Sequence, residues 1–532
     1  MITNVRSMSA SDPTAINTAA DATELGSRVI SLLDSGDASG AISLADAASG
    51  VEVLVTQLRA FACTEGGRQN RDREMTARGR DLWEALAGHT RDGGYNLANA
   101  EQALFELAVG ELGYGGAFET EHEHLERARR GYEAVAADEA VSADLKLQAL
   151  TNLGNSYDLM GRDLDGLVAW EGALALDPGF AMACGNVGVA LAGVAPFARE
   201  HAPTVMNEAA LALDAALAKP DEILKQGGPQ ALEHFNRTRA PLPAPTDSET
   251  PVVGFADPHL EWCREHELFL HVSHRCLRDD VNKLDPLFFR GLNAGIDDAE
   301  QQRVKNLVDA FNSIKQAYVS ARYITWLAVD DGAPRRDELD AVRKRIVFLD
   351  TLEYARFGVR TGIAVHAFAA ATNVLDQVAG FVHLYFGTGR VRDVYFRTLA
   401  RKRGKTTIDP QLADKLQQQS FNRGLLALCD LAADLDQETP LAQLLERRHT
   451  ATHRFLVVHE MLFEEEAGEW LERVEWHTLR EQSIAQLQIA RAALVYLARL
   501  IDINEAQVAQ GETTPRMPLF LHQASEDLAE IE

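Results

Sequence analysis

Four stretches of this sequence place reactive side chains at short, regular spacings. The first is RHTATH, residues 448–453, which sets Arg448 and His453 with four residues between them, His449 among these. An imidazole titrates near neutral pH, so His453 can take the proton of a ribose 2′-hydroxyl or protonate a leaving 5′-oxygen. A guanidinium can fork onto phosphate oxygens and stabilise the charge of a pentacoordinate transition state. The pair therefore suits cleavage of RNA without a metal. The spacing alone is weakly specific, because Arg454 and His459 repeat it. On an unbroken helix Arg448 and His453 would point about 140° apart. They converge only near a helix end or break, or around a substrate wide enough to touch both.

The second stretch overlaps the first. His449, His453 and His459 have the spacing of the metzincin motif HExxHxxGxxH, but Thr450 replaces its Glu and Leu456 its Gly. Without that carboxylate the zinc-bound water has no base, so hydrolysis by that route fails. The third is Cys263, His266, His271, His274 and Cys276. Its spacings match no familiar zinc module. Trp262, Leu268, Phe269, Leu270 and Val272 are interleaved with it, as in a buried connector. No metal or cofactor is expected. The fourth is basic: residues 389–405 carry seven Lys/Arg and one Asp, around Tyr395 and Phe396. Arg397, Arg401, Lys402, Arg403 and Lys405 are candidates for contacts to an RNA backbone. A solvated helix end whose cations complement its dipole is an equal reading.

The whole-chain charge limits the alternatives. Lys and Arg number 52 and Asp and Glu 79, a formal charge of −27, which argues against a broad basic coat for nucleic acid. Residues 1–250 carry 19 basic and 37 acidic side chains, so the second half is the better place for an anionic partner. The five cysteines are scattered, which fits a reducing cytosol rather than a disulfide framework. The opening MITNVRSMSASDPT has no apolar core of a signal peptide. Arg360, His366, Asp376 and His383 interrupt the most apolar stretch, 358–387, so a core helix explains it better than a membrane span. A cytoplasmic protein with no membrane partner is expected. There is no phosphate-binding glycine loop, dinucleotide fingerprint or nucleophile elbow.

The elements that must position these residues are helical. Ala and Leu dominate and helical spacing recurs, so the chain is read as all-α. Residues 1–20 read as a flexible tail. From Leu147 the sequence runs LQALTNLGNSYDLMGRDLDGLVAWEGALALDPGF. It resembles the tetratricopeptide repeat at Leu150, Leu153-Gly154, Tyr157, Gly166, Trp170, Ala173 and Pro178. Val187-Gly188 and Leu191 follow one period on, and Ala128 and Tyr132 fit a preceding helix. A repeat solenoid is expected over 21–220. Residues 221–256, rich in Pro, Ser and Thr toward their end, read as a linker. A second α-helical domain is expected over 257–532, with long helices at 298–328, 335–355, 359–387, 411–435, 440–462 and 474–504.

Two stretches of that second domain carry a further likeness: EWCREHELFL, 261–270, and RHTATHRFLVVHE, 448–460. The domain resembles the HEPN superfamily, most nearly a bacterial subgroup with tetratricopeptide repeats ahead of its HEPN bundle. His449 stands where that subgroup tends to have Asn. The resemblance implies a homodimer whose two Arg-x4-His motifs line one composite cleft, acting on RNA. It implies an endoribonuclease of antiviral defence or of a toxin–antitoxin or stress response, with a protein partner on the repeats. The alternative is a non-catalytic adaptor that joins a repeat solenoid to a dimerising bundle.

Overall fold

The computed structural model describes residues 14–90, 92–198, 201–246, 254–273, 284–289, 291–294, 298–334, 336–349, 352–389, 392, 394–399, 412, 414, 422–436, 455–461, 470–511 and 517–519. Helices dominate these residues, as the sequence predicts. The chain forms two compact units. One comprises Met1–Tyr157 and Val168–Ala183, the other Asp158–Leu167 and Cys184–Glu532.

The first unit is built from successive helices: α1 (Ala19–Asp34), α2 (Ala38–Asp46), α3 (Glu52–Asn70), α4 (Arg73–Leu86), α5 (Gly93–Thr120) and α6 (His122–Ala137). It also takes most of α7 (Ala143–Leu159) and α8 (Asp163–Leu176). Local chemistry sets several starts. Thr18 and Asp21 form a capping box at α1, and Asp37 and Asp72 accept amide hydrogens at the starts of α2 and α4. The tail is shorter than expected. Ile16 is buried and the strand β1 (Ala15–Ile16) pairs with β2 (Ser49–Gly50), so the end of the 1–20 segment is tied down.

Small residues decide how closely these helices approach. A Cβ on Gly67 would lie 2.5 Å from Thr76 Oγ1, and one on Gly79 2.4 Å from Thr64 Oγ1, so α3 and α4 touch at their backbones. The Trp170 indole covers Gly154, where a Cβ would sit 2.3 Å from Nε1. That Nε1–H donates to the Thr151 carbonyl at 3.1 Å. Ala128, Tyr132, Ala149 and Leu153 share one core cluster with Ala169. Trp170 thus fills the space that Gly154 leaves between α7 and α8.

The second unit contains most of α9 (Ala181–Val194), then α10 (Ala202–Leu217) and α11 (Pro220–Arg239). The linker expected over 221–256 is corrected by α11. Proline begins it, at a position where the missing N–H costs nothing, and Ile223 and Phe235 are buried. The phenyl ring of Phe235 would meet a Cβ on Gly185 at 2.2 Å. After α12 (Pro258–Glu265) come α13 (Asp298–Val329), the short α14 (Arg336–Arg343), α15 (Val359–Tyr385), α16 (Arg423–Asp436) and α17 (Trp476–Gly511). Helices α13, α15, α16 and α17 pack together as the C-terminal bundle. Among the described residues α17 alone is long and apolar enough to cross a membrane, and most of that stretch is buried in the bundle.

Two expected helices differ. The one over 335–355 ends at Arg343, because the following Arg345–Leu349 run is exposed and has no helical face to bury. The one over 440–462 is a strand where it is described. There β4 (Phe455–His459), with its paired valines, lies parallel to β5 (Leu471–Glu475). A further short pair joins β3 (Leu292–Ala294) to β6 (Met517–Leu519).

The second unit begins ahead of the expected boundary at 257, at Cys184, and it also takes in the turn between α7 and α8. Arg162, only 2% exposed, donates to Asp165 at 3.0 Å and to Asp430 at 3.1 Å, and also pairs with Asp434. Arg423 donates to the Asp158 carbonyl at 2.7 Å and to Asp163 at 3.0 Å. The Tyr496 hydroxyl donates to Asp165 at 2.6 Å, and Arg499 pairs with Asp163. Burial lowers the Arg499 guanidinium to about 10. Gly161 lets the turn approach: its φ is +78°, and a Cβ would lie 2.5 Å from the Arg423 carbonyl oxygen. Gly161→Ala should therefore destabilise the protein by about 1–3 kcal/mol, read as a lower denaturant midpoint. Gly172→Ala, with Leu150 methyls at an ordinary 3.7 Å, should not. Equal midpoints for both variants would contradict this account of the turn.

Candidate functional site

Arg448, His449 and His453 lie outside the described residues, as do Arg401, Lys402, Arg403, Lys405, His274 and Cys276. The described chain resumes at Phe455, two residues after His453, and what it builds there is well defined.

Strand β4 is held on two sides. Its full length pairs with β5. On the other side the Arg356 N–H donates to the Val458 carbonyl at 2.7 Å, and the Glu460 N–H donates to the Tyr354 carbonyl at 2.9 Å. Val458, His459 and Val474 are buried, which fixes the register against the bundle. Strand β5 runs directly into α17 at Trp476. Two guanidinium groups face that indole: Arg356 lies 4.3 Å from its ring centroid and Arg360 5.3 Å. Arg356 also pairs with Glu460. Arg360 donates to the Ala328 carbonyl at 2.6 Å and pairs with Asp331 at 3.1 Å. Strand, indole and the ends of α13 and α15 are thereby locked together. In the sequence Arg360 reads only as an interruption of an apolar stretch. An arginine in such a stretch is itself the signal of a buried anchor.

His459, third in the metzincin-like spacing, is part of this anchor. Its Nδ1–H donates to the Glu353 carbonyl at 2.8 Å, and it is 2% exposed. Its Nε2 is buried without a hydrogen-bond partner among the described residues.

The basic island is partly described. Phe396 and Leu399 are buried, and the Phe396 N–H donates to Asp376 Oδ1 at 2.9 Å, fastening the segment to α15. Arg397 and Tyr395 are exposed beside that anchor, and Arg397 makes no ion pair among the described residues. The two aromatics therefore separate: Phe396 holds the segment in place, and Tyr395 is free to stack.

The Cys–His stretch near α12 is a buried connector, as the interleaved apolar residues suggest. Trp262, Leu268, Phe269 and Leu270 are at most 3% exposed. Arg322 donates to the Leu268 carbonyl at 2.9 Å and forks onto Asp285. Arg491 donates to the carbonyls of Phe269 at 2.8 Å and His271 at 2.6 Å. Two buried guanidinium groups thus satisfy a turn of backbone that water cannot reach. Burial pushes the Cys263 thiol up to about 12. No group of three or more His, Cys, Asp or Glu among the described residues is arranged to hold a metal ion.

Burial also lowers His271 to about 3, with His201 nearby opposing its charge. Unfolded, the same side chain titrates near 6.5. Above that pH neither state binds the proton and the group is silent. Below it the unfolded chain is protonated first, so stability falls by about 1.4 kcal/mol per pH unit until pH nears the folded value. Denaturant midpoints should accordingly drop between pH 6.5 and 5, and His271→Leu should flatten that drop. An unchanged pH profile in the variant would show that His271 is not a titrating group of this window.

Two comparisons bear on this arrangement. Residues 299–504 match a family model described as LA2681-like HEPN. The matched segment runs from the start of α13 into α17 and takes in Arg448, His453 and the basic island. No curated protein matches the chain.

Proposed function

Residues 299–504 form an LA2681-like HEPN domain, and from that premise we propose that this protein is a metal-independent endoribonuclease. HEPN domains are generally RNases, typically bind RNA and dimerise. The observation that carries the reading is that Arg448-x4-His453 falls inside the matched segment.

The chemistry follows from the two side chains. His453 takes the proton from the ribose 2′-hydroxyl, and the 2′-oxygen attacks the neighbouring phosphorus. The bond from phosphorus to the 5′-oxygen breaks, and that oxygen takes up a proton. The products are a 2′,3′-cyclic phosphate and a free 5′-hydroxyl. Arg448 neutralises charge on the phosphoryl oxygens as it builds. In a homodimer two motifs share one cleft, so one histidine can act as base and the other as acid. Arg397, Arg401, Lys402, Arg403 and Lys405 hold the strand by its phosphates.

The helices ahead of this domain bind a protein partner that controls cleavage, in antiviral defence or a toxin–antitoxin or stress response. The protein works in the cytoplasm. One observation favours a second reading, a non-catalytic adaptor. His449 stands beside Arg448 where an amide would supply both a donor and an acceptor, and imidazole cannot reproduce that pair.

The test is direct. Purified protein should cut single-stranded RNA in EDTA and leave 2′,3′-cyclic ends. His453→Ala should abolish cutting with helicity unchanged. Arg448→Ala should raise the barrier by about 2–4 kcal/mol. Equal cleavage by the His453 variant and the parent would remove the assignment and leave the adaptor.

The basic island gives a separate prediction. Neutralising Arg397, Arg401 and Lys402 together should weaken RNA binding and lower the log–log salt slope by roughly 0.7 per lost phosphate contact. Cleavage of saturating RNA should change little, because these groups position the strand. An unaltered slope would reduce the island to a charged helix end.

A further inference from the structure

Two large aromatic side chains stand open at the start of the β4–β5 pair. Phe455 is 67% exposed and Trp470 66%. The Phe455 N–H donates to the Trp470 carbonyl at 3.0 Å, so the two rings leave from adjacent backbones. Neither ring contacts another ring or a cation among the described residues.

Register separates these rings from the packing that holds the sheet. Phe455 pairs with Leu471 and Val457 with Arg473, and side chains alternate between the faces of a strand, so these four share one face. The opposite face carries Val458 and Val474, both buried. Arg473 lies one step along the face of Phe455 and makes no ion pair or side-chain hydrogen bond among the described residues. The acids of β5 do not pair with it. Glu472 points to the other face, and Glu475 stands at the far end, opposite the buried His459.

An open ring and an unpaired guanidinium on one face suit a nucleotide, the ring taking the base and the cation the phosphate. Only a base that is not stacked and paired in a duplex can offer its π-face to such a ring. Phosphate contacts of the kind expected from the basic island carry no such distinction. The position along the chain favours RNA over a protein as the occupant. Phe455 follows His453 by two residues, which span at most about 7 Å, so a base beside the phosphate on which His453 acts comes within reach of the ring.

We propose that Phe455 and Trp470 stack the unpaired bases that flank the cut phosphate, with Arg473 on a neighbouring phosphate, and so restrict this protein to single-stranded RNA. The proposal rests on the ribonuclease reading above and adds to it the residues that select the substrate. Its readout is stacking, which is measured apart from cleavage.

The experiment uses the full-length chain carrying His453→Ala as parent, so that RNA is bound and not consumed. The probe is a short single-stranded oligoribonucleotide containing 2-aminopurine, whose fluorescence falls on stacking. Binding should quench it. Phe455→Ala and Trp470→Ala should each weaken binding about tenfold and relieve the quenching. Helicity, denaturant midpoint and log–log salt slope should stay as in the parent, because no phosphate contact is lost. Phe455→Tyr and Trp470→Phe should bind as the parent does. Arg473→Gln should instead lower the slope by roughly 0.7. The same strand annealed to its complement should bind the ring variants and the parent alike. Parent-like affinity and quenching in a Phe455→Ala/Trp470→Ala double variant would overturn the proposal, as would an equal loss for single strand and duplex. Cutting by the wild-type chain without this stacking removes the platform and leaves the ribonuclease, whereas stacking without cutting leaves the platform and removes the ribonuclease. A chain that binds no RNA, but whose self-association in sedimentation is lost in the double variant, would assign the rings to a protein interface instead.

Discussion

The buried arginine at the turn between α7 and α8 is the constraint on which the C-terminal bundle is organised. Arg162 is almost without solvent, and its charge is balanced by Asp165, Asp430 and Asp434. Arg423 and Arg499 close the same network from α16 and α17 onto Asp158 and Asp163. Such a network adds little net stability over well-packed hydrocarbon, but removing one partner leaves a buried charge uncompensated, at about 3–5 kcal/mol. Its consequence is specificity. Helices α16 and α17 meet the turn at a register where each of these carboxylates faces a guanidinium.

The same device recurs wherever the bundle must hold irregular backbone. Arg322 and Arg491 capture carbonyls of the connector after α12, and Arg360 captures those at the end of α13. Each guanidinium supplies several donors in a fixed plane, which suits carbonyls that leave a turn in different directions. Arg356 and Arg360 then use their faces on Trp476. The strand that follows the Arg-x4-His motif is therefore anchored to the start of α17 by both edge and face of charged planes.

Packing in the first unit rests on a different principle. Gly67, Gly79 and Gly154 remove Cβ atoms where helices cross, and Trp170 fills the space this leaves. Close approach of helix backbones gains dispersion contacts along their length and needs no charge.

The sequence alone determined the features that rest on local periodicity. Helical composition, the small-residue spacing around Gly154 and Trp170, and the long helices near 298–328, 359–387 and 474–504 are all set by residues close in the chain. The HEPN likeness of the second domain was legible too, since it is carried by short runs of residue types. Tertiary structure decided what depends on distant partners. Residues 455–459 are a strand because β5 and the 354–356 segment pair with their backbone on either side, whereas helical spacing suggests otherwise. The α7–α8 turn joins the second unit because Asp430 and Asp434, more than 260 residues away, neutralise Arg162. Spacing along a chain reports which side chains share a face; it carries no record of which buried charge will find its counter-charge across the fold.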